Sequence, residues 1–175
     1  MLKIIALVIA VLIVGLLAYA ATKPDIFRVQ RSSSIKAPAE KIFALINDLR
    51  NFNSWNPYEK KDPNMKGNYG GPSSGKGAAY AFEGNKEVGK GSIEITEALP
   101  PHKVTMKLNM IHPFEARNIV EFTLQPNADG TNVTWSMYGP LPYIAKIVHL
   151  FVDMDNMVGK DFEAGLANLR QVAER

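Results

Sequence analysis

A long apolar run opens the chain. From Ile4 to Ala21 no residue is charged, and Gly15 is the only one outside the apolar set. As a helix rising about 1.5 Å per residue, this segment spans roughly 27 Å, close to the hydrocarbon thickness of a bilayer. The run is apolar on every face, unlike the one-sided pattern of a helix packed on a soluble core. We therefore predict a membrane-spanning helix.

Alternating patterns typical of strands follow this run. Between Val104 and Met110 every second residue is apolar, as expected for a strand with one buried face. Similar patterns predict strands over 27–35, 78–83, 87–98, 114–124 and 133–137, and 65–69 is a further short candidate. After the first strand, Pro38 suits the first turn of a helix, and residues 49–55 form a second short helix or turn.

The last thirty residues change to a helical pattern. From Tyr143 to about Val172, apolar residues recur at steps of four and three, which predicts one amphipathic helix of about eight turns. The predicted order is a strand, two short helices, about six antiparallel strands and a long helix. This order favours an α+β fold in which a curved antiparallel sheet of six to seven strands wraps around the C-terminal helix. A cavity between sheet and helix would be a natural small-molecule site.

The pattern divides the chain into residues 1–22 as a membrane anchor or uncleaved signal, 23–26 as a linker, and 27–175 as one folded domain. A secretory signal peptide is the alternative, with Lys3 as its positive region and Ala18-Tyr19-Ala20 as an A-x-A cleavage site. The apolar stretch is long for a signal core, which favours a retained single-pass anchor over a cleaved and secreted form.

Charge does not settle the orientation of this anchor. Lys3 lies on one side, whereas Lys23, Arg28 and Arg31 lie on the other. Under the positive-inside rule this distribution slightly favours a folded domain on the cytoplasmic side, and the opposite orientation is left open.

Composition excludes several kinds of chemistry. The chain has 175 residues and no cysteine, so disulfides, thiolate metal sites and a thiol nucleophile are ruled out. With 20 Lys and Arg against 17 Asp and Glu, the net charge is only +3, which gives little support for nucleic-acid binding. The three histidines show no metal-ligand spacing, and we expect neither a metal nor another cofactor.

Several segments resemble the START-like (SRPBCC) superfamily, whose helix-grip fold has the same order of elements. The similar features are an Ala-Pro pair and an Ile-Phe pair at a strand-to-helix junction, a helix followed by Trp-x-Pro, strand ends, and a closing helix like that of bacterial polyketide cyclase-like proteins. In this chain these features lie in the segments Ser34–Phe43, Asn47–Pro57, Gly75–Ala78, Phe82–Asn85, Thr131–Trp135 and Gly159–Leu169. The resemblance covers Phe27 to Glu174 and implies a helix-grip fold, but one fold hosts many functions.

Two sets of residues are candidates for a site. His149 and Asp153 are four residues apart on the predicted helix, where they would share a face and could act as a general acid/base pair. Large apolar side chains, with one arginine that could bind an acidic head group, are candidates for a ligand cavity. They are Trp55, Tyr80, Phe82, Met106, Met110, Arg117, Trp135, Met137, Phe151 and Met154.

The resemblance and these residues favour a membrane-anchored domain that binds a lipophilic small molecule, such as a lipid, a quinone or a polyketide-like compound. The alternative is a cyclase- or dehydratase-type enzyme acting on a hydrophobic substrate. A second alternative is a partner-binding or stress-related module with a vestigial cavity. The expected partners are the membrane and the hydrophobic ligand, and the oligomeric state is left open.

Overall fold

The N-terminal apolar run forms helix α1, Leu2–Ala21, in the computed structural model, which describes all 175 residues. Its length and its mean hydropathy of 3.0 are sufficient to cross a membrane. Apart from Ala20, none of its side chains is buried in the protein. Membrane anchors and signal sequences share these properties.

Seven antiparallel strands form one open sheet, in agreement with the six to seven strands predicted. They are β1 (Ile26–Ile35), β2 (Lys66–Gly70), β3 (Ala79–Glu83), β4 (Lys90–Leu99), β5 (Lys103–His112), β6 (Ala116–Asn127) and β7 (Gly130–Pro140). Their order in the sheet is β1-β7-β6-β5-β4-β3-β2. From β2 to β7, each strand therefore lies beside the strand that follows it in sequence, as short connections require, and β1 pairs with β7.

Three short helices connect β1 to β2. They are α2 (Ala39–Asn47), α3 (Leu49–Phe52) and α4 (Tyr58–Lys61). Pro38 precedes α2, and Glu40 places a negative charge in its first turn, where the helix dipole favours it. The Asp48 carboxylate accepts a hydrogen bond from the Arg50 amide and so caps α3.

The predicted long C-terminal helix is present, but it begins at Met154 rather than at Tyr143, because two helices occupy that segment. Helix α5 covers Tyr143–His149 and α6 covers Met154–Ala173. At the break, Asp153 Oδ1 accepts a hydrogen bond from the Asn156 amide at 2.9 Å, so the side chain of Asp153 caps a new helix. The apolar spacing continues across this cap, but Phe151 lies in the break and is 73% exposed.

Helix α6 packs against the sheet through aromatic rings. The rings of Trp135 on β7 and Phe162 on α6 stack with 4.2 Å between centroids. Gly165 allows this approach, since a Cβ at that position would lie 2.5 Å from the Trp135 ring. The architecture is the α+β helix-grip fold predicted above, and its core lies between the sheet and α2 and α6.

The antiparallel register gives the sheet two distinct ends. At one end β1 begins and β7 ends, with Ile26 paired to Pro140, and we name this the anchor end because α1 leads directly into it. The amide of Leu141, just after β7, donates to the carbonyl of Asp25 at 2.7 Å. The opposite, distal end carries Ile35, the β4–β5 turn and the β6–β7 turn.

Candidate functional site

A groove of about 500 Å³ opens at the anchor end, between β1 and the junction of α5 with α6. Strand β1 and the linker before it form one wall, and residues 149–155 form the other. Alternation along β1 explains the first wall, since Phe27 and Val29 point to the inner face of the sheet. The helix break contributes the second, because residues 150–153 between α5 and α6 line the groove opposite the start of β1.

The inner part of this groove is apolar. Phe27, Val29 and Leu141 line it from the sheet side, and Leu150 and Met154 line it from the helices. Val29 and Leu141 are buried, whereas Phe27, Leu150 and Met154 are partly exposed. Such a surface contacts water unless a second apolar group covers it.

One buried cation lies beside this apolar wall. The Lys146 side chain lines the groove and is only 7% exposed, and its Nζ atom lies 2.6 Å from Asp25 Oδ1. The Asp25 side chain, by contrast, is 92% exposed on the linker. A charged group taken out of water needs a counter-charge, and the Asp25 carboxylate supplies it for Lys146 from the solvent-exposed linker.

His149 also lines the groove, and its ring meets the Phe27 ring edge to face at a centroid distance of 6.1 Å. Partial burial lowers the pKa of His149 from its ordinary value of 6.5, because desolvation disfavours the imidazolium. The imidazole is therefore mainly neutral at pH 7. It forms no ion pair with a carboxylate.

The predicted His149–Asp153 pair does not share a helical face. His149 ends α5, whereas Asp153 lies before α6 and uses its carboxylate to cap that helix. Both residues line the groove, but no hydrogen bond joins them. The helix break separates them, and it was not anticipated from the spacing.

The candidate cavity residues fall into three groups. Trp55, Tyr80, Met106, Trp135 and Met137 are buried in the core, whereas Phe82, Met110 and Met154 are half-buried. Phe151 and Arg117 are exposed. Only Phe151 and Met154 of the ten line the groove. The middle of the interface between sheet and helix, where we expected the cavity, is instead filled by the Trp55, Trp135 and Phe162 rings.

Arg117, predicted as a cavity residue, does not face the interior, because its neighbour Asn118 occupies the inward position. Asn118, Val120 and Phe122 are buried at alternate positions of β6, which places Arg117 on the outer face. Asn118 Nδ2 contacts Met137 Sδ at 3.9 Å. The buried polar side chain of this strand is thus an amide without charge.

Sequence reasoning missed most of the groove. Phe27 and Val29 lie in the strand predicted over 27–35 but were not predicted to be part of a site. Lys146 carried a usable signal, because it is the one basic residue in the apolar segment from Leu141 to Ile147. A single charge within an otherwise apolar helical segment often marks a paired, buried group.

Two ion pairs fix the wall formed by α6. Arg31 Nη2 lies 3.0 Å from Asp155 Oδ2, and Arg31 Nε lies 2.8 Å from Glu163 Oε1. The hydrogen bond from Arg31 lowers the pKa of Asp155. Gly159 leaves room for the guanidinium, since a side chain there would overlap it. These contacts hold the start of α6 against β1, next to the groove.

Comparisons with solved structures show the same fold at low sequence identity. Protein CV1439 from Chromobacterium violaceum aligns with a TM-score of 0.60 and 15% identity, over 87% of this chain and 99% of that one. The Aha1 dimer from Colwellia psychrerythraea aligns with a TM-score of 0.60 and 18% identity, over 85% of this chain and 96% of that one. The di-domain ARO/CYC protein BexL from the BE-7585A biosynthetic pathway aligns with a TM-score of 0.64 and 13% identity, over 90% of this chain and 53% of that one.

At the level of sequence, no curated protein matches this chain. A family model described as polyketide cyclase/dehydrase and lipid transport does match, over residues 27–174. This range includes the whole sheet except its first residue, together with α2 to α6. The chain therefore belongs to the polyketide cyclase/dehydrase and lipid transport family.

Proposed function

We propose that this protein is a membrane-anchored domain that binds a lipophilic small molecule, such as a lipid, a quinone or a polyketide-like compound. The observation that carries the proposal is the groove at the anchor end of the sheet. Its volume of about 500 Å³ lies within the range of roughly 300–1,000 Å³ usual for small-molecule sites. Residues 1–22 act as the anchor, 23–26 as the linker, and 27–175 as the binding domain.

The contacts of α1 support a retained anchor over a cleaved signal. The Tyr143 hydroxyl on α5 donates to the carbonyl of Leu17 at 2.7 Å, and Ala20 is fully buried. Cleavage after Ala20 would remove both contacts. The rest of α1 exposes its apolar side chains, which are stable in lipid rather than in water.

The groove wall supports an amphiphilic ligand. Phe27, Leu150 and Met154 offer an aromatic ring, a branched aliphatic chain and a flexible thioether, which suit an alkyl or polycyclic guest. Lys146 places a positive charge at the same groove. A ligand with an apolar body and an acidic or carbonyl end satisfies both features.

Filling the groove at Met154 is expected to prevent binding. The full-length protein in detergent is irradiated with a diazirine-bearing palmitic acid, and the labelled peptides are mapped by mass spectrometry. We expect saturable labelling of residues 26–29 and 149–155. The Met154→Trp variant should label at least about tenfold less, because the indole takes up the volume that the alkyl chain needs.

The matched control is Met157→Trp, three residues further along α6. Met157 is 53% exposed and lies outside the groove, so this variant should label like the unchanged protein. Equal labelling of the Met154→Trp and unchanged proteins, or labelling that rises linearly with probe and never saturates, would count against a binding site in the groove.

A cyclase- or dehydratase-type reaction is the second candidate function, and His149 is the observation that supports it. Its neutral imidazole faces the groove and could accept a proton. No carboxylate orients the ring, so binding remains the better-supported function. A dehydratase would release one water and lower the mass of its bound compound by that amount, whereas a cyclase would isomerise the compound and change its chromatographic retention at constant mass. The His149→Gln variant would do neither. An unchanged compound after incubation with the native protein would remove this candidate.

A further inference from the structure

We propose that the domain itself rests on the bilayer through the outer face of α5, in addition to its anchorage by α1. We define the α5 outer face as Ile144, Val148, Phe151 and Val152. This inference rests on the proposed membrane anchorage and goes beyond it, because it assigns a lipid-contacting surface to the folded domain. The partner is the boundary between the headgroups and acyl chains of the bilayer that holds α1.

The α5 outer face is an unusual surface for a protein in water. Ile144 is 74% exposed, Phe151 73% and Val148 44%. The first three members are spaced four and three residues apart, which puts Ile144 and Val148 on one side of α5 with Phe151 just beyond its end. An apolar stripe of this kind normally faces a core or a membrane.

The same segment presents no charge outward. Between Tyr143 and Val152 the only side chain with a fixed charge is Lys146. That side chain points inward, where it is 7% exposed and paired with Asp25. His149, the other titratable base, has a lowered pKa that favours its neutral form. Insertion of this face into the interfacial region therefore requires no charge to be desolvated.

The position of α5 relative to α1 places this face at the right depth. Tyr143 begins α5, and its hydroxyl contacts the carbonyl of Leu17, four residues before the end of α1. Four residues of helix correspond to about 6 Å along the axis. If α1 spans the bilayer, Tyr143 lies near the level where the helix leaves the hydrocarbon.

Aromatic and basic side chains mark the same level. Tyr19 is 54% exposed on α1, and the Lys23 ammonium reaches its hydroxyl at 2.8 Å. Tyrosine is enriched at membrane–water interfaces, and a lysine at a helix end extends its ammonium to the headgroups. Tyr19, Lys23 and Tyr143 therefore define an interface on which α5 lies.

Exposed apolar side chains are also unevenly distributed over the sheet. At the anchor end the structure exposes Ile26 at the start of β1, and Ile111 and Phe114 around the β5–β6 turn. At the distal end the β4–β5 turn exposes Leu99. This asymmetry favours a domain whose anchor end faces lipid over one surrounded by water.

A bilayer fits this surface better than a protein partner does. A stable protein interface buries about 1,200–2,000 Å² in total and includes polar groups at its rim. The α5 outer face is one short helix and its end, without charged side chains, and it adjoins a helix that is already apolar on all sides. The lipid that surrounds α1 therefore also covers the α5 outer face, and no protein partner is required.

The arrangement has a consequence for ligand access. Phe151 and Val152 belong to the α5 outer face and also line the groove. A lipophilic molecule can therefore pass from the bilayer to Phe27 and Met154 along a continuous apolar surface. It would not cross bulk water, in which such a molecule is poorly soluble.

The absence of cysteine makes this inference directly testable, because a single introduced cysteine is labelled alone. The full-length Val148→Cys protein is labelled with the fluorophore NBD and reconstituted into phosphatidylcholine vesicles with or without a doxyl-lipid quencher. We expect blue-shifted emission and quenching at least about threefold stronger than for a label at Leu99→Cys. Leu99 is the matched control, since it is an aliphatic side chain of similar exposure at the distal end.

The outcomes separate this inference from the anchor itself. If the protein floats with the vesicles but both labels are quenched equally weakly, the α5 proposal is overturned and the anchor stands. If the protein does not float, the anchor fails and this inference fails with it. If the label at position 148 becomes protected only as the protein-to-lipid ratio rises, a second copy covers the face, which contradicts the proposal.

Discussion

Replacing Trp135 with alanine is expected to lower the free energy of unfolding by about 3–5 kcal/mol, the range for truncating a large buried aromatic side chain. Trp135 is 3% exposed and contacts three aromatic rings, those of Trp55, Phe122 and Phe162. Its removal leaves a cavity at the place where α6 packs on β7. Gly165 has no side chain to fill that cavity, so the loss should lie towards the upper part of this range.

Urea unfolding of the full-length protein in a mild detergent measures this loss. The chain has two tryptophans, so Trp55 remains as the fluorescent reporter in the variant. Phe114→Ala is the control, because Phe114 is 77% exposed and its truncation should change the free energy by less than about 0.5 kcal/mol. A loss below about 1 kcal/mol for Trp135→Ala would contradict the packing of α6 described above.

Two arginines placed in the middle of α1 are expected to release the protein from membranes. Ile9 and Leu12 are exposed on α1 and do not pack on the domain. Arginine at the centre of a membrane helix costs about 2.5–3.5 kcal/mol per residue on insertion scales. The combined Ile9→Arg and Leu12→Arg change should therefore move most of the protein into the soluble fraction.

Carbonate extraction of membranes, followed by intact-mass measurement, checks this expectation. The Ile9→Ala and Leu12→Ala double variant keeps the segment apolar and should stay with the membrane. A measured mass equal to that of residues 21–175 would show that the segment is a cleaved signal. An arginine variant that remains in the carbonate-resistant pellet would show that something other than α1 holds the protein there.

Periodicity predicted the fold well because most of its strands are half-buried. Val104 and Met106 are fully buried, whereas Lys107 between Met106 and Leu108 is exposed, and such alternation is visible in the sequence itself. The connection between β6 and β7, residues 128–129, is likewise marked in the sequence, because Asp129-Gly130 is a pair typical of tight hairpin turns. Strand number and antiparallel order followed from these local signals, whereas the helix-grip fold was implied by the resemblance to the START-like superfamily.

The site was harder to predict because it depends on contacts distant in sequence. The apolar spacing from Ile147 to Met154 is compatible with one helix, and it does not reveal that α5 ends at His149 and that the Asp153 carboxylate caps the start of a second helix. The stack of Trp135 on Phe162 then fills the middle of the interface and leaves the groove at the β1 edge. Neither effect has a periodic signature, so the residues predicted for a central cavity proved mostly to be core.

Strand phase caused the remaining error. In the segment around Arg117 and Asn118, the alternation does not show which of the two faces inward. In the structure the inward position belongs to Asn118, whose amide is 7% exposed. An uncharged amide is less costly to bury than a guanidinium without a partner.

Native mass spectrometry of the full-length protein tests the binding function most directly. The protein is extracted from the membranes of its producing cells in a mild detergent and measured without denaturation, and the bound compounds are then extracted and identified. We expect one lipophilic molecule per chain, and its absence from the Met154→Trp variant. Circular dichroism of the same samples checks that the sheet is intact. If repeated preparations of intact protein show only the mass of the ligand-free chain, a function in binding such a molecule is contradicted.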